Sequence, residues 1–186
     1  MSDVDASTPR VFLARHGETE WTKNGRYTGS TDLELTPHGV KQVKGTASQL
    51  VGSGKLIDPA RIVRVWVSPR KRALQTFGLL FNGLNDSGGN SPTIPEDKIT
   101  ITEDIAEWDY GDYEGLLVEE IRSSRKERGL DQDIAWNIWR DGCEGGESAQ
   151  QATERLDRLI SDIRKIQESR MHGEKAADVV LTTHYL

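Results

Sequence analysis

Val11-Phe12-Leu13-Ala14-Arg15-His16-Gly17 decides the fold of this chain, because an apolar run suited to a strand ends directly on an arginine, a histidine and a glycine. A neutral imidazole can attack phosphorus, and a neighbouring guanidinium can hold two phosphate oxygens in its planar fork. The same three residues also read as a solvated strand end. Their neighbours in the sequence separate the two readings.

Outward from this strand, helical and β-patterned segments alternate. Thr36-Pro37 reads as an N-cap followed by proline in the first turn, and Val40, Val43, Ala47, Leu50 and Val51 follow at helical spacing. Ile62 to Val67 is a second strand rich in β-branched residues. Ser68-Pro69 repeats the cap-and-proline start, with Ala73, Leu74, Phe77, Leu80 and Phe81 on one face. Gly83 to Asp97 is read as an exposed loop and Ile99 to Ile101 as a short strand. Ser148 and Gln151 form a capping-box pattern ahead of a long amphipathic helix marked by Ala152, Leu156, Leu159, Ile160, Ile163 and Ile166. Val179 to Thr182 is the last strand. This order predicts one α/β layered domain over residues 10–186, preceded by a disordered tail at 1–9.

In open α/β sheets ligands bind beyond the carboxyl ends of the strands. If the strands are parallel neighbours, the segments after Ala14, Val67 and Thr182 bring Arg15 and His16, Arg70 and Arg72, and His184 to one place. A helix starting near residue 69 would aim its free N–H groups at the same space.

Composition limits the partners. The chain has 186 residues and a net charge of −6, so nothing in its balance favours a nucleic acid or an anionic membrane. An anionic substrate must meet a local arginine cluster. A single cysteine, Cys143, allows no internal disulfide and suits a reducing compartment. No stretch approaches the roughly 18 apolar residues of a membrane span, and the first ten residues lack a secretory pattern, so the expectation is a cytoplasmic protein.

Six blocks of the sequence carry a resemblance. Arg15 to Trp21, Gly25-Arg26-Tyr27-Thr28-Gly29 and Leu35-Thr36-Pro37-His38-Gly39 look like the opening of the histidine phosphatase superfamily, which includes phosphoglycerate mutases and fructose-bisphosphatase-like enzymes. Ser68-Pro69-Arg70-Lys71-Arg72-Ala73-Leu74-Gln75-Thr76 resembles its second motif. Glu107 to Gly115 and Trp136 to Glu147 are most similar to the sedoheptulose-1,7-bisphosphatase branch. The resemblance runs from about residue 10 to residue 184. It implies a phosphoglycerate mutase-like three-layer α/β sandwich around a mostly parallel sheet.

Carried over residue by residue, the resemblance implies hydrolysis of sedoheptulose 1,7-bisphosphate, and of fructose 1,6-bisphosphate, at the 1-phosphate. His16 is the expected nucleophile, with Arg15, Arg72 and His184 stabilising the phosphoryl charge. Glu107 is the expected general acid and then base, a role that needs a desolvated carboxyl; Ile105, Ala106 and Trp108 supply apolar neighbours. Tyr27, Thr28 and Tyr110 are expected to line the substrate site. Arg140 either binds a distal phosphate or pairs with Asp141 or Glu144. Trp136 and Trp139 are read as core, Glu147 and Ser148 as either phosphate-proximal or capping, and His38 and His172 as chemically idle.

Neither a cofactor nor a metal is called for: the four histidines are scattered, Ala149 stands where a cysteine phosphatase after Cys143 needs arginine, and Gly52-Ser53-Gly54-Lys55 lacks P-loop spacing. The superfamily follows its second histidine with glycine and further elements, whereas here the sequence reads His184-Tyr185-Leu186. The domain is therefore expected to be C-terminally truncated, exposing the apolar edge of the 179–182 strand. Two other functions stay open: a phosphoglycerate mutase or broad phosphomonoesterase, and a non-catalytic module that senses phosphorylated metabolites.

Overall fold

The computed structural model of the chain describes residues 8–81, 94–171 and 177–184. Strands β1 (Val11–Arg15), β2 (Ile62–Val67), β3 (Ile99–Ile101) and β4 (Asp178–Thr183) form one parallel sheet in the order β1-β4-β2-β3. The last strand in sequence therefore sits between the first two. Around the sheet lie α1 (Glu20–Asn24), α2 (Pro37–Leu50), α3 (Lys71–Phe81), α4 (Val118–Glu127), α5 (Ile138–Asp141) and α6 (Ala149–Glu168).

Alternation along β4 shows how the three layers are built. Val180 joins Val43 and Ala47 of α2 and Ala73, Phe77, Leu80 and Phe81 of α3 in one core, while Val179 and Leu181 face Leu159 and Ile163 of α6 in another. A parallel strand covered on both faces reads as a continuous apolar run, and every residue of β4 is buried. At its start the fully buried Asp178 accepts from Arg10 at 2.6 Å and Arg61 at 3.3 Å, so its charge is paired where the strand enters the core.

Local chemistry accounts for the helix starts. The Thr36 hydroxyl accepts the Gly39 N–H at 3.0 Å with Pro37 opening α2, and Ser148 and Gln151 cap α6 reciprocally. The start of α3 differs from the expected cap. The helix begins at Lys71, whose N–H is taken by Asp32 at 2.6 Å, and the buried Ser68 hydroxyl accepts the Arg70 N–H at 3.4 Å.

A third cluster lies under the loops that follow β3. Trp108, Tyr110, Tyr113, Ile121, Trp136, Cys143 and Ala152 pack together there. Trp136 is core, as expected, but Trp139 is 53% exposed; it stands on the one-turn α5 and meets Trp108 edge-on at 5.1 Å.

Two other expectations change. The 179–182 strand is not the exposed element. Exposure falls instead on edge strand β1, whose Val11 and Leu13 are 44% and 71% exposed and border a 650 Å³ apolar groove beside Leu156, Ile160 and Ile163. The predicted 83–97 loop lies mostly outside the described residues, as do residues 1–7 of the tail and His172; within its described end, Ile94 is core and Glu96–Lys98 form a 3-10 turn. Among the described residues, no helix is long and apolar enough to cross a membrane.

Candidate active site

Parallel pairing of β1 with β4 sets Arg15 opposite Thr183, and the His16 N–H donates to the Thr183 carbonyl at 3.1 Å. The strand ends therefore carry His16 and His184 side by side, with ring centroids 5.1 Å apart. Both rings are buried. Gly17 allows the turn that follows, since a Cβ there would crowd the Gly39 carbonyl oxygen at 2.7 Å.

Hydrogen bonding fixes the protons of both imidazoles. His16 Nδ1 lies 2.7 Å from the Gly17 carbonyl oxygen, which can only accept, so Nδ1 carries the proton and the Nε2 lone pair is open. Arg72 Nε, which can only donate, points at His184 Nδ1 at 3.2 Å; His184 therefore carries its proton on Nε2 and donates it to Ser68 Oγ at 2.7 Å. Burial pushes the His16 pKa down to about 4, with help from Arg72 and Arg15 and against the Gly17 hydrogen bond. Burial, then Arg72, His16, Arg70 and Arg15, pushes His184 down to about 2. His16 presents a neutral nitrogen lone pair and His184 is a neutral donor to Ser68.

Arg72 is fully buried in the first turn of α3. Besides His184 it donates to the carbonyls of Thr28, Gly29 and Thr31 at 2.9, 3.1 and 3.0 Å. Arg15 is exposed at the strand end and lines a 350 Å³ cavity together with His16, Tyr27, Thr28, Glu107 and Tyr110. Burial drives the Glu107 carboxyl up to about 7, opposed by the Trp108 N–H at 2.9 Å, by Arg72 and Arg155, and by the Tyr110 hydroxyl. At neutral pH it is divided between acid and base. Burial first, and then Glu107, pushes the Tyr110 phenol far above its ordinary range, so it remains a donor, and its ring meets that of Tyr27 edge-on at 4.7 Å.

The structure thus brings His16, Arg15, Glu107, Tyr27, Thr28 and Tyr110 to one cavity, with Arg72 and His184 directly behind His16. It does not bring Arg140, whose guanidinium grips Asp141 at 2.6 Å beside a different cavity that also involves Arg125 and Asp131. Glu147, expected at the phosphate or in a cap, pairs with Arg155 at 2.7 Å. Cys143 is buried and its thiol is pushed up to about 12, so it is not a nucleophile at neutral pH. Sequence reasoning overlooked Ser68, which it took for a cap; its pairing with His184 spans 116 positions and leaves no local signal. The wider groove beside β1 is mostly apolar, and Arg15, Thr183 and His184 also line it.

Comparison with known proteins agrees with this geometry. The sequence profile of the histidine phosphatase superfamily (branch 1) matches residues 11–185. Sedoheptulose 1,7-bisphosphatase of Saccharomyces cerevisiae is 42% identical over 177 residues, covering 95% of this chain and 64% of that protein. An acid phosphatase of Mycobacterium tuberculosis is 38% identical over 152 residues, covering 82% of this chain and 62% of its own length. The chain spans a little under two thirds of these relatives. Among solved structures, an open-reading-frame product of Mycobacterium tuberculosis superposes with a TM-score of 0.68 at 31% identity, over 95% of this chain and 74% of that one. A shared profile over the two strand-end histidines, the phosphoglycerate mutase-like α/β sandwich and this degree of identity agree: the chain belongs to the histidine phosphatase superfamily.

Proposed function

We propose that this chain carries the catalytic machinery of a sugar-bisphosphate phosphatase that removes the 1-phosphate of sedoheptulose 1,7-bisphosphate, and of fructose 1,6-bisphosphate, through a phosphohistidine at His16. The observation that carries the reading is the pairing of an open Nε2 lone pair on His16 with a carboxyl at Glu107 held near pH 7 in the same cavity. Similarity to the yeast sedoheptulose 1,7-bisphosphatase supports the choice of substrate.

In the first step, Nε2 of His16 forms a bond to phosphorus as the phosphorus–oxygen bond to the sugar breaks. The leaving alkoxide takes a proton from Glu107. Arg15, Arg72 and His184 stabilise the charge on the equatorial phosphoryl oxygens, His184 by turning its Nε2–H from Ser68 Oγ to the phosphoryl group. In the second step, Glu107, now a carboxylate, removes a proton from a water that attacks the phosphohistidine. Inorganic phosphate leaves and His16 recovers its lone pair. Tyr110 and Tyr27 form the wall against which the sugar lies.

The test is a panel of phosphorylated sugars and glycerates assayed with the chain and with His16→Ala. Release of phosphate from the two sugar bisphosphates, lost in the variant, is the expected result. Acid-stable labelling in place of an acid-labile phosphohistidine, or turnover that survives His16→Ala, would overturn it. Activity only in the presence of 2,3-bisphosphoglycerate would indicate a mutase instead.

A further inference from the structure

The segment from Arg26 to Thr31 carries Tyr27 and Thr28 into the cavity yet has no regular secondary structure. Its peptide groups are held from two directions. On one side, the guanidinium of Arg72 donates to the carbonyls of Thr28, Gly29 and Thr31. On the other, the carboxylate of Glu114 accepts the Gly29 N–H on both oxygens, at 3.0 and 2.9 Å, and the Thr31 N–H at 2.9 Å. Beside this grip, the Tyr27 N–H donates to the Leu116 carbonyl at 3.0 Å and the Gly115 N–H to the Tyr27 carbonyl at 2.8 Å. Glu114 itself does not line the cavity.

We propose that Glu114 is a positioning residue for substrate recognition: by holding the amides of Gly29 and Thr31 against the pull of Arg72 on the neighbouring carbonyls, it fixes the Tyr27–Thr28 wall on which the sugar rests. The inference builds on the sugar-bisphosphate reading above. A carboxylate does this job most fully: Oε1 accepts both amides and Oε2 accepts the Gly29 N–H again, where an amide would set its NH₂ against that N–H. Charge-assisted hydrogen bonds of this kind are the strong ones, and losing part of the set frees a loop with no ladder of its own. Tying Glu114 to the 28–31 segment also couples that wall to Glu107, since both acids lie on the stretch between β3 and α4.

The test compares Glu114→Gln with the unmodified chain by amide exchange and by kinetics on two substrates. Exchange at Gly29 and Thr31 is expected to accelerate about tenfold or more. KM for a sugar bisphosphate should rise about tenfold with kcat within about threefold, while p-nitrophenyl phosphate, which needs only the phosphate cradle, should change less than about twofold. Glu114→Asp keeps the charge but shortens the reach, and should fall between the two; it also stands in if Glu114→Gln does not fold. Unchanged protection of both amides overturns the proposal, as does an equal loss on both substrates, which would mean general damage. Should the unmodified chain hydrolyse no sugar bisphosphate, the substrate reading fails by itself. The grip of Glu114 is then decided by amide exchange alone, with inorganic phosphate binding expected to be unaffected.

Discussion

The two sides of the candidate catalytic cavity are held by different forces. His16, Arg15 and His184 sit on the ends of paired strands, placed by main-chain hydrogen bonds such as His16 N–H to the Thr183 carbonyl. Glu107, Tyr110 and Tyr27 sit on irregular chain, placed by side-chain packing: Trp108 reaches the Glu147 carbonyl at 2.8 Å and Tyr27 lies edge-on to Tyr110 and Trp136. The β1–β4 ladder is made by main-chain groups and does not use the Arg15 or His16 side chains, so the strand side should tolerate their substitution structurally and fail chiefly in chemistry. The loop side should lose geometry and chemistry together.

The largest effects separate the two sides by rate. His16→Ala should take sugar-bisphosphate hydrolysis to background while leaving the thermal midpoint near that of the unmodified chain, since β1–β4 pairing does not use the ring. Glu107→Gln should lower kcat about 10²- to 10⁴-fold with a small change in KM, because it removes proton transfer and keeps the shape of the site. In the unmodified chain the rate of the first step should fall as pH rises through about 7, where Glu107 loses its proton. A first-step rate that is flat across that range, measured by single-turnover release of sugar, would remove Glu107 from the role of acid.

Next in size is a steric break on the loop side. A Cβ at Gly29 would fall well inside contact distance of the Trp108 carbonyl oxygen and close to the Tyr110 ring. Gly29→Ala should therefore push the 28–31 segment off Trp108 and destabilise the fold by about 1–3 kcal/mol, the cost typical of overpacking. Denaturant midpoints check this. Equal midpoints for the variant and the unmodified chain would mean that the contact is soft.

Legibility in the sequence follows the same division. The strand side was legible through convergence: Arg15 and His16 alone also read as a solvated strand end, but taking the strands that end at Ala14, Val67 and Thr182 as parallel neighbours gathers His16, Arg72 and His184 in one place. Helices α2 and α6 announced themselves through Thr36-Pro37 and Ser148–Gln151. The loop side could not be read in this way. Taken by itself Glu107 is an acidic residue near the surface, and only its motif marked it, because the burial that raises its pKa comes from long-range packing. Helix α4, dominated by charged residues with Ile121 as its fully buried anchor, shows too thin an apolar stripe to be picked out. Ser68 and Glu114 act on partners 116 and 85 positions away, a pairing that no local pattern encodes.

Stability should respond to pH with opposite signs on the two sides. Below about 6.5 the unfolded chain binds protons on residues 16 and 184 that the folded chain refuses until about pH 4 and about pH 2, so these two groups lower stability as pH falls from 6.5. Glu107 does the reverse. Between 4.5 and about 7 the folded chain keeps a proton that the unfolded chain has released, so its share of stability declines as pH rises through that window and levels off above it. Across pH 4.5 to 6.5 the urea midpoint should climb more steeply in Glu107→Gln than in the unmodified chain, and less steeply in His184→Gln. Parallel curves for all three proteins would show that the rings and the carboxyl titrate alike in both states.

The smallest expected effect sharpens where the site ends. Arg140 is a cation on the stretch 136–147 that resembles the sugar-bisphosphatase branch, and an anchor for a distal phosphate would be an arginine of this kind. Its guanidinium, however, is closed on its neighbour Asp141 through Nε at 2.8 Å and Nη2 at 2.6 Å, and a further donor bond runs to the Ala135 carbonyl at 2.9 Å. Reaching a ligand in the Tyr27–Tyr110 cavity would mean breaking these bonds, and the pair lines another cavity altogether. Exposed pairs of this type contribute little to folding, so Arg140→Ala should leave the denaturation midpoint almost unmoved and change KM for the bisphosphate by less than about twofold. A tenfold rise in KM confined to bisphosphates, with monophosphates unaffected, would instead mean that substrate draws Arg140 away from Asp141 and that the loop side extends as far as α5.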